Sequence, residues 1–94
     1  MNETIHAITA LTLTGDRRVF GFYFDPTEAR MAVNENRCNM HEGLYSHLVV
    51  EEFPSGIHAL AIQESWFCWN KERARWEVTQ KPEKLYGIIS FAMG

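Results

Sequence analysis

The chain has 94 residues, 46% of them hydrophobic and 22% charged, the proportions of an ordinary globular protein and the length of a single domain (1–94). The net charge is −3 and the longest basic block is the pair Arg17-Arg18, which excludes binding to long DNA or RNA through many phosphate contacts. No apolar stretch approaches the ~20 residues of a membrane-spanning helix, and Met1–Thr9 has neither the basic start nor the apolar run of a signal peptide. A cytoplasmic protein is therefore expected, with no membrane partner and with Cys38 and Cys68 reduced.

Ile5–Leu13, rich in Ile, Leu and Thr, predicts a first strand, Thr14-Gly15-Asp16 a turn, and Arg17–Phe24 a second strand, the pair forming a hairpin. Strict alternation puts Arg18, Phe20, Phe22 and Phe24 on one face and Val19, Gly21 and Tyr23 on the other. Gly21 in mid-strand marks a bulge or a close approach by another backbone.

Asp25-Pro26-Thr27-Glu28 is the strongest local signal. Asp25 caps a helix, Pro26 fits its first position, and Glu28 completes a capping box. The helix is predicted from Pro26 to about Asn36. Ala29, Ala32 and Val33 form a narrow apolar stripe against the sheet, with Arg30, Glu35 and Arg37 facing outward.

Cys38–Gly43 reads as a loop and Leu44–Phe53 as a third strand, with Tyr45, His47, Val49 and Glu51 on one face. Glu51 and Glu52 are adjacent on it and point to opposite faces. Ile57–Ile62 is either an irregular strand or a packed loop. Glu64–Trp69 and Arg75–Thr79 form a second hairpin that holds Trp66, Trp69 and Trp76, with Trp66 and Trp76 read as cross-strand core partners. Lys81-Pro82-Glu83-Lys84 is a turn or one helical turn, and Tyr86–Met93 reads as a last strand. The fold class that results is α+β: an antiparallel or mixed sheet of five to six strands with one short helix packed on a face. A core this thin favours a shallow site or one shared between subunits. It also leaves a sheet face in need of cover, so a homo-oligomer, most simply a dimer, is expected.

The residues that carry chemistry are sparse. Cys38 and His41, with His47 and Cys68, have zinc-ligand character but lack the second tight pair of a structural site. Either cysteine beside a His offers a nucleophilic dyad without a third group, and Cys68, between Phe67 and Trp69, has the surroundings of an inert buried thiol. No glycine-rich phosphate loop is present. No catalytic residue, metal or cofactor is assigned. Rings and guanidinium groups remain. Rings stack on bases and Arg forks hold phosphates, so Arg75, Arg18 and Trp69, with Tyr45 and His47 as neighbours, are the candidate ligand-binding residues. Rings in the core and arginines on a solvated rim are the simpler explanation of the same pattern.

The run from Arg18 to Asp25, Glu28-Ala29 and Ala32-Val33, Met40 to Tyr45, His47 to Glu52, Gly56-Ile57, Trp66 to Asn70, Lys81 to Glu83, and the closing Phe91 to Gly94 together resemble a family of small uncharacterised proteins. Such proteins are common in bacteriophages and mobile elements of Gram-positive bacteria. The resemblance runs through nearly the whole chain in order and implies an accessory protein acting in the host bacterial cytoplasm. Joined to the small size and the ring-and-Arg hairpin, it leads to a non-enzymatic antagonist of host defence that binds and sequesters a small nucleotide signal, in the manner of a sponge. A protein-binding inhibitor of a host defence protein, using the Trp-rich hairpin as its patch, is the alternative. A small nucleotide hydrolase ranks last.

Overall fold

A computed structural model describes residues 4–14, 16–37, 45–54, 63–87 and 91–92. Among these residues five strands form one antiparallel sheet: β1 (Thr4–Leu11), β2 (Arg17–Tyr23), β3 (His47–Pro54), β4 (Gln63–Asn70) and β5 (Arg75–Thr79), in the spatial order β2-β1-β3-β4-β5. One helix, α1 (Pro26–Asn34), packs on a face. The architecture is the α+β arrangement expected. No helix among the described residues is long and apolar enough to cross a membrane.

Register explains the two faces. Ile8 lies opposite Val50, Ala10 opposite Leu48, Leu48 opposite Phe67, and Trp69 opposite Trp76. These residues share the face covered by α1, where Ala32 and Val33 close a core with Ile8, Ala10, Leu48, Phe67 and Trp76. Leu11, Val49 and Trp66 occupy the other face and pack with Leu85 and Phe91 of the C-terminal segment. Trp66 and Trp76 are thus both buried, on opposite faces, and are not cross-strand partners. Each tryptophan closes a different core layer.

Gly21 does sit at a bulge, with a φ of 151° that side chains rarely adopt. Gly21 pairs with Ile8 and Val19 with the next residue, Thr9, so Phe20 is the inserted residue. The insertion shifts alternation by one. Arg18 (opposite Ala10) and Tyr23 (opposite His6) therefore share the helix face, contrary to the simple two-residue period, while Val19 and Phe22 face the other way.

The helix starts where the sequence places it. Asp25 Oδ1 accepts the Thr27 backbone N–H at 2.8 Å. Glu28 does not close a capping box; its carboxylate is turned to Arg37, 3.6 Å from Nη1. The helix ends at Asn34, short of the expected Asn36, because Asn36 adopts a left-handed φ of 49° that breaks the helical path. From that position Asn36 Oδ1 accepts the Trp76 Nε1–H at 3.0 Å, tying the helix end to β5.

The C-terminal segment departs from expectation. After a 3-10 turn at Glu83–Leu85, Tyr86 and Gly87 form an exposed turn, and Phe91 and Ala92 lie in a bend rather than a strand. The N–H groups of Phe91 and Ala92 donate to the Glu51 carboxylate on the sheet face, at 3.0–3.2 Å. A side chain thus replaces the strand ladder as their acceptor. Residues 57–62, read as strand or packed loop, lie outside the described residues, as do Cys38, His41 and 88–90.

Candidate functional site

A nine-residue helix rises ~13 Å, whereas five strands spaced ~4.8 Å span ~19 Å. The helix cannot cover the sheet. It leaves the end of β2, crosses β1, and reaches β5 through the Asn36–Trp76 bond. Among the described residues, one end of β3 and β4 lies open beside it, as a cleft of about 480 Å³.

The floor of this cleft is graded by register. His6, Glu52 and Gln63 form one cross-strand row; Val50 and Ser65 lie in the next; Phe67 lies beyond. Thr27, Arg30, Met31 and Asn34 of α1 line the facing wall. His6 is buried, and its Nδ1 lies 3.7 Å from Glu52 Oε1. Glu52 is half-buried and Arg30 exposed. One cleft therefore offers an apolar seat, hydrogen-bonding edges of both kinds, a carboxylate and a guanidinium.

The five candidate residues from the sequence do not meet. Arg18, Tyr45 and Trp69 are on the helix face, at the opposite end of the strands from the cleft. The Arg18 guanidinium lies over the Phe20 ring at 5.1 Å, Phe20 meets Tyr45 edge-on at 6.2 Å, and Trp69 packs edge-on against Trp76 at 5.2 Å. Arg75 and His47 belong to the other face. Arg75 pairs with Asn70, one position from the Trp69–Trp76 pair, so it cannot share a face with Trp69. His47 pairs with Leu11 and Cys68 and is separated from Tyr45, which packs on the helix-face core.

Arg75 is already engaged. Its Nε and Nη2 donate to Glu77 Oε2 at 3.2 and 3.1 Å. Asn70 Nδ2, which donates to Glu77 Oε1 at 2.8 Å, and then Arg75 hold the Glu77 carboxyl below its ordinary pKa. The guanidinium fork that would hold a phosphate thus meets an internal carboxylate.

His47 and Cys68 are cross-strand neighbours. Burial lowers the His47 pKa, and His47 Nδ1 lies 2.8 Å from Ser46 Oγ. Among the described residues, no three His, Cys, Asp or Glu side chains are grouped to hold a metal ion.

No family model matches the chain, and neither does any curated protein or solved structure. The cleft must be read from its own chemistry. Sequence reasoning missed His6, Arg30, Glu52 and Gln63. The signal available was a His inside the apolar run Ile5–Leu11, and polar groups at the matching ends of β3 and β4. Recognising it needs the strand order, which brings those ends together.

Proposed function

We propose that the protein is a non-enzymatic binding protein that captures a small nucleotide-class ligand in the cleft between α1 and the β3–β4 end of the sheet. The observation that carries this reading is the cleft itself. Its volume, about 480 Å³, falls within the roughly 300–1,000 Å³ of small-molecule sites. Phe67 and Val50 supply an apolar seat for a ring. Glu52 and Gln63 supply edges for exocyclic amines and sugar hydroxyls, and Arg30 supplies a charged donor for phosphate. In a phage-type accessory protein, such capture would antagonise a host defence system by withdrawing its nucleotide signal.

The protein-binding alternative would draw on less ring surface, since Trp66 and Trp76 are buried and Trp69 partly so. Incubation with cyclic dinucleotides and ADP-ribose derivatives, followed by heat denaturation and chromatography, tests the proposal. Recovery of intact ligand is the expected result. Recovery of a cleaved product would make the protein an enzyme, and no uptake from the panel would remove the nucleotide class.

A further inference from the structure

We propose that the β2 edge is the interface of a homodimer, formed by antiparallel pairing of β2 with β2 of a second copy so that the sheet continues across a two-fold axis. Among the described residues β2 is an outer strand, with a neighbour on one side in β1. An edge strand presents unpaired backbone groups, and proteins that remain monomeric blunt it with charge or cover. The two edges of this sheet differ in that respect. On β5, Arg75 and Glu77 place an ion pair along the strand, and Val78 is a single exposed apolar residue beside it rather than part of a cluster. On β2, beyond Arg17 and Arg18, the outward residues are apolar: Val19 is 46% exposed and Phe22 56%, and Phe24 just past the strand is 62% exposed. Phe22 and Phe24 stack edge-on at 5.7 Å, so the patch is continuous.

The second copy is the occupant because the strand is complementary to itself in one register. A two-fold axis perpendicular to the sheet keeps helix-side residues on the helix side. Full overlap, pairing Arg18 with Phe22 of the partner subunit, mixes the faces that the bulge at Phe20 has set. A shift by one restores them. Arg18 then lies opposite Tyr23 of the partner subunit, both on the helix face, and Val19 opposite Phe22 of the partner subunit, both on the other. Because the pairing is isologous, each contact occurs twice. The exposed Val19 and Phe22 of both copies close into one apolar group across the junction, continuing the buried layer that begins at Ala7 and Thr9. At each end Arg17, whose guanidinium lies 5.9 Å from the Phe91 ring centroid of its own chain, comes opposite Phe24 of the partner subunit.

Sedimentation equilibrium of the full chain at high micromolar concentration should return twice the 10.9 kDa chain mass. V19K and F22K place a charge at exposed positions, so each should keep the wild-type far-ultraviolet spectrum and return the single-chain mass. Mixing V19C protein with F22C protein under mild oxidation should give a disulfide-linked dimer that neither protein forms alone. This cross-link reads the register even if a lysine variant fails to fold. A wild-type chain that stays monomeric, which would leave the edge to another partner, overturns the proposal. So does a dimer that persists in both lysine variants, or cross-linking no stronger in the mixture than in the separate proteins.

Discussion

The Glu51 carboxylate accepts the backbone N–H of Phe91 through both oxygens, at 3.1 and 3.2 Å, and that of Ala92 through Oε1 at 3.0 Å. Glu51 is fully buried in mid-strand, and this contact clamps a segment forty residues away onto the sheet. Phe91 then stacks edge-on against Trp66 at 5.2 Å. Leaving a buried hydrogen-bonding group without its partner costs about 1–3 kcal/mol, so Glu51→Ala, which strands the Phe91 and Ala92 N–H groups, should lower stability by about 2–3 kcal/mol in chemical denaturation and expose the C-terminal segment to proteolysis.

The same residue sets a pH dependence. Burial raises the Glu51 pKa above its ordinary 4.5, against the opposing effect of the Phe91 and Ala92 N–H groups. The folded state therefore holds the proton more tightly than the unfolded chain. This contribution is fully present below pH 4.5 and is lost as pH rises through the folded pKa. Melting curves of wild type and Glu51→Gln across that range should show the wild-type advantage shrinking as pH rises. A difference independent of pH would contradict the assigned direction.

Thr9 lies beside Glu51 on this face, and its Oγ1 is buried without a hydrogen-bond partner among the described residues. An unpaired buried hydroxyl costs about 1–3 kcal/mol. Thr9→Val keeps the shape and removes the polar atom, so it should raise stability by ~1 kcal/mol by the same reasoning, read as a higher denaturation midpoint at unchanged slope.

What the sequence disclosed was what short-range chemistry decides. Asp25-Pro26 started the helix, the turn at Asp16 made the first hairpin, and Ala32 and Val33 marked the buried stripe. Gly21 announced a bulge, but not that the inserted residue would be Phe20, and so not that Arg18 and Tyr23 share a face. Register between distant strands was not legible either. It separates Arg75 from Trp69 and aligns His6 with Glu52 and Gln63. None of the five candidates read from the sequence lines the cleft, and the residues that do come together only through the strand order.

Asp25→Ala removes the acceptor of the Thr27 N–H. Loss of such a cap costs ~1 kcal/mol, and the helix should fray from the cleft side, where Pro26 and Thr27 line the wall. A thermal melt gives the magnitude, and amide exchange at Thr27 locates the effect. An unchanged melting temperature would show that the cap contributes nothing.

Asn36 has two roles that substitution can separate. Its φ of 49° suits glycine, and its side chain accepts the Trp76 indole N–H. Asn36→Gly keeps the backbone and loses the bond, about 1 kcal/mol. Asn36→Ala loses the bond and adds left-handed strain of roughly 1–2 kcal/mol. Alanine should therefore destabilise more than glycine in denaturant titrations, and equal effects would remove the backbone role.

The last prediction sets the cleft against the residues first read from the sequence. If a nucleotide binds between α1 and the sheet, its phosphate meets Arg30 on the exposed side of the helix wall. Arg30 is exposed, so Arg30→Ala should leave the melting temperature of the empty protein unchanged. Binding should weaken by about 1.5–3 kcal/mol, the worth of a charged hydrogen bond. Arg75→Ala should do the reverse. It removes an ion pair with Glu77 on the opposite sheet face and should leave nucleotide affinity at the wild-type level. Calorimetric titration of both variants with whichever nucleotide the panel returns decides the matter. Lost affinity in Arg75→Ala with full affinity in Arg30→Ala would move the site to the second hairpin. Gln63→Ala adds an independent check, since Gln63 is an exposed floor residue at the strand end and its loss should weaken binding without altering the fold.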